Sequence, residues 1–210
     1  MVNFEDFHSA LSEGNVDRLK QLTQEALDEG YSADKVLKEG LIKSMERIGA
    51  RFKNSEIFLP EAFIAARAMH GGLAVLKPIL AKSSSPAAAK VVLGTVKGDL
   101  HDIGKNLVGM MLEGGGFEVI DVGIDVPSDK FIEAAKQHRA DVIGLSAMLT
   151  TTMVQMQETV KKLRAEALPV KIIVGGAPVT EQFASQIGAH GYAADAASAV
   201  EKVKELLSIA

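Results

Sequence analysis

The chain has 210 residues, of which 47% are hydrophobic and 24% are charged, so it can form one large domain or two small ones with separate cores. Its formal net charge is -4, and its Lys and Arg residues form no basic stripe, which argues against nucleic acid as a partner. The absence of cysteine excludes disulfides, thiolate metal sites and cysteine nucleophiles, so any metal must be held by His, by carboxylates or by a cofactor's own ligands.

The N-terminal segment, residues 2–7, carries acids where a secretory signal would carry bases. No stretch of the sequence reaches the roughly 18 uninterrupted apolar residues that a membrane span needs. From these two observations we expect a cytoplasmic protein with no membrane partner.

The first half of the chain, up to about Lys82, has the apolar periodicity of α-helices. Turn and cap residues at 14–15, 29–32 and 53–55 divide this half into about four helices, which predicts a four-helix bundle. The sequence then loses its periodicity at Ser83, Ser84, Ser85 and Pro86. We therefore predict a helical bundle domain over residues 1–83 and a second domain over residues 84–210.

The second half alternates short apolar strands with amphipathic helices. The strands are predicted over residues 90–95, 118–122, 141–146 and 170–174, with a weaker fifth strand over 191–193. The helices are predicted over residues 103–113, 128–138, 152–166, 180–187 and 197–207. Strict βα alternation implies right-handed crossovers, and therefore a five-stranded parallel sheet in a flavodoxin-like, Rossmann-type doubly wound α/β fold.

Three polar loops follow the predicted strands at the edge where such a fold binds ligands. The first loop, residues 94–106, has a carboxylate two residues before a histidine and a glycine three residues after that histidine. The third-strand loop, 146–152, is rich in hydroxyls, and the fourth-strand loop, 175–178, begins with two glycines. Hydroxyls and bare main chain are therefore expected to converge on one edge, although the fold alone identifies no function.

The three loops together carry a motif whose residues are Asp99, His101, Gly104, Ser146, Thr150, Gly175 and Gly176. The pattern Asp-x-His-x-x-Gly, followed about 40 residues later by Ser-x-x-x-Thr and then by Gly-Gly, resembles the cobalamin-binding domain shared by methionine synthase, corrinoid methyltransferase subunits and B12-dependent mutases. The resemblance covers residues 88–210. Its specificity lies in the combination, because Asp-x-His-x-x-Gly alone is short enough to occur by chance.

The resemblance implies a corrinoid whose cobalt has His101 as its lower axial ligand, in place of the cofactor's own base, a state called base-off and His-on. A metal-bound imidazole needs its second nitrogen fixed by a hydrogen bond, so Asp99 is the implied partner. In the family, a hydroxyl at the position of Thr152 extends this relay. Protons can then move as the coordination of cobalt changes.

Other loop residues are expected to contact the cofactor. Gly104 would let the start of a helix approach the corrin, and Gly175 and Gly176 would let main chain flank the displaced nucleotide tail. Ser146 and Thr150 would offer hydroxyls to the buried base. The remaining expected contacts are Gly94, Asp102, Ile103, Leu149 and Ala177.

Each of these features has an ordinary structural alternative when it is taken alone. A single loop histidine is usually solvated, a Gly-Gly pair is usually a tight turn, and the run 150–152 is usually a helix cap. Lys105 and Asn106 are expected to be exposed helix residues. The other histidines are expected to be structural or surface residues, and they are His8, His70, His138 and His190.

Residues 48–62 resemble the helical cap that covers the methyl face of cobalamin in methionine synthase and its carrier relatives. The resemblance implies that Phe52 and Leu59 shield the upper face of the cofactor. Ala62 lies where a larger aliphatic residue can occur in the family, and the resemblance leaves open how tightly the methyl group is covered there. The alternative is that the apolar residues of this segment are simply core.

A helical cap next to a corrinoid domain, with no substrate barrel in 210 residues, resembles the methyl carriers rather than the mutases. The resemblance implies a protein that carries a methyl group on cobalt, cycling between Co(I) and methyl-Co(III). It would work between a substrate-specific methyltransferase and a second methyltransferase that transfers the methyl group to tetrahydrofolate or a thiol, with a reductive activation protein as a further partner. Such a chain is a non-autonomous subunit and not a stand-alone catalyst.

Two other functions fit the same fold. A B12-responsive sensor would use the same pocket, but it normally needs an output module, and the sequence contains no basic recognition helix. A phosphoacceptor receiver would place its phosphorylated Asp where the third strand ends in Ser146. The sequence leaves open the methyl donor, the lower base of the corrinoid and the oligomeric state.

Overall fold

The structure, a computed structural model, describes residues 2–80 and 89–209. The chain forms two units, residues 1–87 with 113–116 and residues 88–112 with 117–210. The predicted domain boundary at Ser83 to Pro86 lies outside the described residues. Each unit has its own buried apolar core.

The helical unit contains helices where the apolar periodicity predicted them. They are α1 (Glu5–Ser12), α2 (Val16–Asp28), α3 (Ala33–Lys35), a π-helical segment (Val36–Ile42), α4 (Lys43–Lys53) and α5 (Leu59–Leu80). Helix α2 begins where the Asn15 side chain accepts a hydrogen bond from the N–H of Arg18, and α3 begins where Ser32 caps Lys35 in the same way. Helix α3, the π-helical segment and α4 are continuous in sequence, so the described residues of this half form the four helical stretches that the sequence predicts.

Helix α5 has 22 residues and, with a mean hydropathy of 1.2 over its most apolar window, is long and apolar enough to cross a membrane. One such helix is weak evidence for a span, because the core helix of a soluble protein has the same length and composition. Within the helical unit, α5 packs against α1, α2 and α4, and a row of its small residues is buried. Its sequence also includes Glu61, Arg67 and Lys77.

The α/β unit has the predicted five-stranded parallel sheet. Its strands are β1 (Lys90–Val96), β2 (Glu118–Val126), β3 (Val142–Ser146), β4 (Lys171–Gly175) and β5 (Gly191–Ala193). Its helices are α6 (Ile103–Gly114), α7 (Ser128–His138), α8 (Met153–Ala165), α9 (Glu181–Ile187) and α10 (Ala196–Leu207). The strand order β2-β1-β3-β4-β5 is that of a flavodoxin-like doubly wound fold, which confirms the predicted fold class. Consecutive residues of β1 are buried, as expected for a strand covered on both faces.

The strand order reverses between β1 and β3, because the chain passes from β1 to β2 on one side and later returns to β3 on the other. The register aligns the carboxyl ends of the central strands: Thr95 pairs with Ser146, and Ser146 pairs with Gly175. The loops that follow β1, β3 and β4 therefore begin side by side. This edge is where the fold places ligands.

Strand β2 continues to Val126, four residues beyond its predicted end at residue 122. The sequence predicts an end there because Gly123 and the residues after it are typical of turns. In the structure, Gly123 and Asp125 have positive φ angles, and the pairing of β1 with β2 shifts register twice between Leu93 and Val96. Strand β2 therefore continues through an irregular segment and does not end at residue 122. Only the pairing with β1 reveals this irregularity.

Candidate functional site at the carboxyl edge of the sheet

Asp99 is the buried centre of the site. Its carboxylate oxygen Oδ2 accepts hydrogen bonds from the main-chain N–H of Met148 and from the hydroxyl of Thr152, both at 2.7 Å. Its Oδ1 accepts the main-chain N–H of His101 at 3.1 Å and lies 2.7 Å from Nδ1 of the same residue. Its side chain is fully buried. The carboxylate thus joins the loop after β1 to the loop after β3.

The charge of Asp99 is stabilised by these contacts. Burial by itself would raise the pKa of the carboxyl group, because it disfavours the charged form. The hydrogen bonds from Met148, Thr152 and His101 act in the opposite direction and together lower the pKa of Asp99 from 3.8 to about 2. Asp99 is therefore an ionised hydrogen-bond acceptor at neutral pH.

The ionised carboxylate determines how the His101 ring is protonated. Because a carboxylate can only accept hydrogen bonds, Nδ1 of His101 carries the proton in its contact with Asp99. A neutral imidazole then keeps a lone pair on Nε2. The His101 side chain is 53% exposed, and no described residue forms a hydrogen bond with Nε2. The contact with Asp99 therefore fixes the orientation of the ring and leaves Nε2 as the ring nitrogen that a ligand could reach.

Three contacts that the sequence did not predict hold this loop. The buried hydroxyl of Thr95 donates a hydrogen bond to the carbonyl oxygen of His101 at 2.8 Å. The N–H of Met148 reaches Asp99 as described above, and Asp125 on β2 bonds to the loop in front of His101. A hydroxyl at the end of a buried strand is a usable sequence signal for Thr95. The other two contacts depend on main-chain geometry and have no signal of this kind.

The glycines of the site have different surroundings. A Cβ atom at Gly104 would have no atom within 4 Å, so this glycine leaves open space at the first turn of α6. A Cβ at Gly176 would lie 1.9 Å from the carbonyl oxygen of Ala147, and one at Gly175 would lie 2.9 Å from that of Ala193. The protein's own main chain therefore requires Gly175 and Gly176, whether or not a ligand lies beside them.

Gly94 lies inside the sheet rather than at its edge. A Cβ there would come within 2.8 Å of the Phe131 ring and 2.6 Å of the Val122 side chain, so packing of β1 against β2 and α7 explains this glycine. Ser146 is half-buried at the end of β3, and Thr150 and Ala177 are exposed in the loops beyond β3 and β4. The exposed Asp102 accepts a hydrogen bond from the side chain of Asn106 at 3.1 Å.

The expectation that Lys105 is an exposed helix residue is wrong. Its side chain is only 2% exposed, and its Nζ forms an ion pair with Asp121 on β2 and donates a hydrogen bond to the side chain of Asn106. Asn106 itself is half-buried. Two other predicted site residues, Phe52 and Leu59, lie in the helical unit, where Phe52 is half-buried and Leu59 is exposed.

Comparison with known proteins identifies the family. Two family models, both described as a B12 binding domain, match residues 89–201 and residues 4–77. The chain is 40% identical to a corrinoid protein of Desulfitobacterium hafniense over 99% of this chain and 98% of that protein. It is 46% identical to a dimethylamine corrinoid protein of Methanosarcina barkeri over 82% of this chain and 83% of that protein. The chain belongs to the family of B12-binding corrinoid proteins.

The structural comparison agrees with this assignment. The corrinoid protein described here superposes on a chain of the methanol:cobalamin methyltransferase complex of Methanosarcina barkeri with a TM-score of 0.84. The two are 28% identical, and the match covers 96% of this chain and 78% of that one. Together with the family models, this confirms the predicted resemblance, and it includes the helical half as well as the α/β half.

The edge around His101 fits a corrinoid in its surface chemistry. Four large apolar side chains lie exposed in the two loops and the first turn of α6, and they are Leu100, Ile103, Met148 and Leu149. Exposed apolar groups gathered in one place usually mark a binding surface, and a corrin ring is broad enough to cover such a surface. The open space at Gly104 is at the same edge. The corrinoid protein therefore has His101 at this edge, in loops that also carry exposed apolar side chains.

His101 is a possible ligand for a metal whose other ligands belong to a cofactor. Within residues 2–80 and 89–209, no three His, Asp or Glu side chains gather in a group able to hold a metal ion. A single imidazole nitrogen can complete the coordination of a metal that already has ligands of its own. His101 of the corrinoid protein has the exposure and the ring orientation for that role.

Proposed function

We propose that this corrinoid protein carries a methyl group between two methyltransferases and is not a catalyst by itself. The observation that supports the proposal most directly is the half-exposed ring of His101, which the buried Asp99 orients through Nδ1. When bound, the corrinoid supplies the group-transfer chemistry, because its cobalt can accept a methyl group from one partner and release it to another. The protein supplies binding, orientation and protection from water.

We propose that His101 would bind cobalt through Nε2, in place of the cofactor's own base. Asp99 would keep the proton on Nδ1 and so hold the ring in the orientation that a metal ligand needs. Asp99 and the His101 ring would together hold a proton whose position changes with the coordination of the ring, and the Thr152 hydroxyl, which donates to Asp99, would extend this relay.

The other predicted loop residues would hold the displaced nucleotide tail. Ser146 ends β3 and is half-buried, and Thr150 and Ala177 are exposed at the same edge. We propose that the two hydroxyls contact the displaced base and that the main chain at Gly176 and Ala177 flanks the tail. Asp102 and Leu149 would contact the corrin or its side chains from the loops after β1 and β3.

The names of the relatives support a system that handles methylamines or methanol. One relative is a dimethylamine corrinoid protein, and the structural match is to a methanol:cobalamin methyltransferase complex. We propose that a substrate-specific methyltransferase loads the cofactor and that a second methyltransferase transfers the group to tetrahydrofolate or a thiol. A reductive activation protein would return oxidised cofactor to the active state, and all these partners would be cytoplasmic.

Paramagnetic resonance of the protein loaded with cob(II)alamin tests the ligand assignment. If His101 binds cobalt, labelling the protein uniformly with nitrogen-15, while the cofactor stays unlabelled, changes the nitrogen splitting from a triplet to a doublet. The splitting should disappear when the cofactor is cobinamide, which lacks a base of its own, and the protein carries His101→Ala. A triplet that labelling leaves unchanged would mean that the cofactor's base stays on cobalt and that the proposal for His101 is wrong.

The substrate is tested with the partner enzymes. The reduced corrinoid protein is mixed with methyltransferases specific for methanol, for each methylamine, for methoxylated aromatics and for betaines, each with its donor. The productive pair changes the absorbance spectrum of the reduced cofactor. If no pair changes the spectrum while the protein binds corrinoid normally, the carrier function is contradicted and a B12-responsive sensor becomes the better interpretation.

The resemblance of residues 48–62 to a cobalamin cap supports a separate proposal, that Phe52 and Leu59 shield the upper face of the cofactor. The rate at which cyanide binds to the hydroxocobalamin-loaded protein measures access to that face. Phe52→Ala and Leu59→Ala should each increase the rate several-fold, and Phe58→Ala, which removes an exposed neighbour, serves as the control. Equal rates in all three variants and the wild type would mean that these side chains do not cover the cofactor.

A further inference from the structure

The loop that carries His101 is held at both ends by the edge strand β2. In front of the histidine, the N–H of Gly98 donates a hydrogen bond to Oδ1 of Asp125 at 2.7 Å, and the N–H of Asp125 donates to the carbonyl oxygen of Asp99 at 3.0 Å. Behind the histidine, Lys105 in the first turn of α6 is paired with Asp121. Two aspartates of one strand therefore contact both sides of the loop.

Asp125 has a main-chain conformation that ordinary residues avoid. Its φ is 52°, in the left-handed region, and Gly98, which it contacts, also has a positive φ of 81°. Aspartate tolerates this region better than most residues, but the conformation still costs free energy and must be offset by tertiary contacts. The two hydrogen bonds that join Asp125 to residues 98 and 99, one through its side chain and one through its main-chain N–H, are such contacts. The strand end is therefore shaped to fit the loop.

Lys105 lies at a position that is unfavourable for a lysine in an isolated helix. A cation in the first turn of a helix opposes the helix dipole, and a buried ammonium group needs a charged partner. Its side chain is 2% exposed, and its Nζ contacts Asp121 and the side-chain oxygen of Asn106, the latter at 2.7 Å. Neither feature helps α6 as an isolated helix. The position of Lys105 is explained by its attachment of the helix start to β2.

The irregular part of β2 lets one strand supply both aspartates. Between the pairs Leu93 with Asp121 and Val96 with Val126, β1 advances three residues while β2 advances five. The two additional residues bend the strand, and the N–H of Gly123 donates to Oδ1 of Asp121 within the bend at 2.9 Å. Irregularities of this kind redirect side chains next to functional sites.

We infer that Asp125 and the Lys105–Asp121 ion pair are positioning residues, which hold the His101 loop in its metal-binding geometry before the cofactor arrives. This inference rests on the proposed role of His101 as the cobalt ligand. A loop that is ordered in advance binds with less loss of conformational entropy, and residues that orient a metal ligand typically change metal affinity by about 10- to 100-fold. The pair and Asp125 touch neither cobalt nor the reacting group in this role.

Two variants of Asp125 separate its side chain from its main-chain conformation. Asp125→Gly tolerates the positive φ but removes the acceptor for Gly98, whereas Asp125→Asn keeps an acceptor oxygen and also tolerates that conformation. We expect Asp125→Gly to bind hydroxocobalamin about tenfold more weakly and Asp125→Asn to remain within about twofold of wild type. Arg139→Gly is the matched control, because Arg139 has a φ of 53° at the end of α7, where its N–H bonds back to Ala135 and Lys136 of the same helix.

Lys105→Met tests the second contact, with Lys162→Met as its control. Lys162 pairs with Asp129 at 3.0 Å but lies exposed on α8, so its loss should change nothing. Methionine fills the buried space of the Lys105 side chain without the charge. We expect Lys105→Met to lower hydroxocobalamin affinity about tenfold and to reduce the fraction of cofactor that shows the histidine nitrogen splitting.

Amide hydrogen exchange in the cofactor-free protein gives a measurement that needs no corrinoid. We expect faster exchange at Gly98 and Met148 in Asp125→Gly, with the amides of β3 and β4 unchanged. A purely structural role would instead raise exchange throughout the sheet and lower the unfolding midpoint. If Asp125→Gly and Lys105→Met retain wild-type exchange and wild-type affinity, the inference is overturned. If the wild-type protein itself shows no histidine nitrogen on cobalt, the proposed role of His101 fails instead.

Discussion

The loops after β1 and β4 lie at the same edge of the sheet, and both contain glycines, but the two loops use them differently. In the loop after β4, a side chain at Gly176 would collide with the main chain of Ala147, so the glycine is needed for the strands to approach. In the first turn after the β1 loop, a side chain at Gly104 would meet no protein atom within 4 Å. The glycine after β4 is therefore required by the packing of the protein itself, whereas Gly104 leaves space that no protein atom fills.

A glycine can be required by the protein's own packing or by the space that a ligand needs, and a sequence motif does not distinguish these two reasons. The motif contains Gly104, Gly175 and Gly176, and all three were expected to make room for the cofactor. The structure explains Gly175 and Gly176 without a cofactor and leaves Gly104 unexplained by packing. Substitutions of the glycines after β4 should therefore lower the stability of the fold, whereas substitution of Gly104 should lower the affinity for corrinoid.

Gly176→Ala should have the largest effect on stability. The new Cβ would lie 1.9 Å from a carbonyl oxygen, and the φ of 127° is one that alanine rarely adopts. We expect the free energy of unfolding to fall by roughly 3 kcal/mol or more, the sum of a strained main chain and a steric clash. Urea denaturation of the cofactor-free protein measures it. A loss of unfolding free energy below about 1 kcal/mol would mean that the loop after β4 can move aside and that packing does not require glycine at 176.

Asp99→Asn should have the next largest effect and should depend on pH. The amide cannot accept all the hydrogen bonds that the carboxylate accepts, so we expect a loss of about 2 kcal/mol at neutral pH. The pKa of Asp99 is lowered from 3.8 to about 2 in the folded protein, so the folded state binds this proton less tightly than the unfolded state. The stabilisation is complete above pH about 4 and is lost as the pH falls through about 2.

Unfolding curves at several pH values compare the wild type with Asp99→Asn. The difference in unfolding free energy between the two proteins should shrink on acidification through this window. Thr152→Val removes only one donor to Asp99, so its loss of stability should be smaller. A difference that stays constant down to pH about 2 would contradict the charge assignment of Asp99.

Gly104→Ala should change stability in the opposite direction. Alanine is favoured over glycine within a helix by roughly 0.5 to 1 kcal/mol, and the new methyl group meets no protein atom. We therefore expect unchanged or slightly increased stability by urea denaturation, together with weaker binding in an absorbance titration with hydroxocobalamin. Unaltered corrinoid affinity would show that the open space at Gly104 is not used by the cofactor.

The smallest expected effect is that of replacing His190, at the opposite edge of the sheet. It tests whether the stability of that edge is independent of the loops after β1 and β4. Nδ1 of His190 accepts the N–H of Ile172 at 2.9 Å, which requires an unprotonated nitrogen. Burial, with Lys171 and Arg164 nearby, lowers the pKa of His190 below 6.5, so the unfolded state binds this proton more tightly. The stability from this contact is present above the unfolded pKa and is lost as the pH falls through the folded pKa.

Thermal unfolding between about pH 8 and about pH 5 checks this prediction. His190→Asn keeps an acceptor oxygen but does not titrate, so the midpoint of this variant should fall less on acidification than that of the wild type. The pKa of His8 in the helical unit is also lowered, chiefly by burial, and this contribution is common to both proteins. Parallel pH profiles for the two proteins would mean that the His190 contact contributes nothing.

Much of the α/β unit could be predicted because its elements are defined by local patterns. Helix α7 has the predicted bounds, residues 128–138, and the carboxyl edge of the sheet carries the predicted loops. The Asp99–His101 contact was also expected, since the two residues are close in sequence and the family resemblance names them. Predictions of this kind succeed when the interacting groups lie within a few residues or follow from strand order.

The rest depended on contacts between residues that are distant in sequence. Lysine is usually exposed, so nothing in the pattern around Lys105 indicates that it is buried against Asp121 on a neighbouring strand. The continuation of β2 past Gly123 was missed because glycine and aspartate favour turns unless a paired strand constrains them. In the helical unit, the periodicity predicted helices but could not distinguish the π-helical segment, residues 36–42, from α-helix.

The sequence by itself determined the order of helices and strands, and it indicated the carboxyl edge of the sheet as the candidate site, with a histidine and an aspartate in contact there. Only the tertiary structure decided the charge of the buried Asp99, which depends on the hydrogen bonds from Met148 and Thr152 in another loop. It also decided which glycines face open space and which face main chain. Local patterns select secondary structure through short-range sterics, whereas charge states and free space depend on groups that only folding brings together.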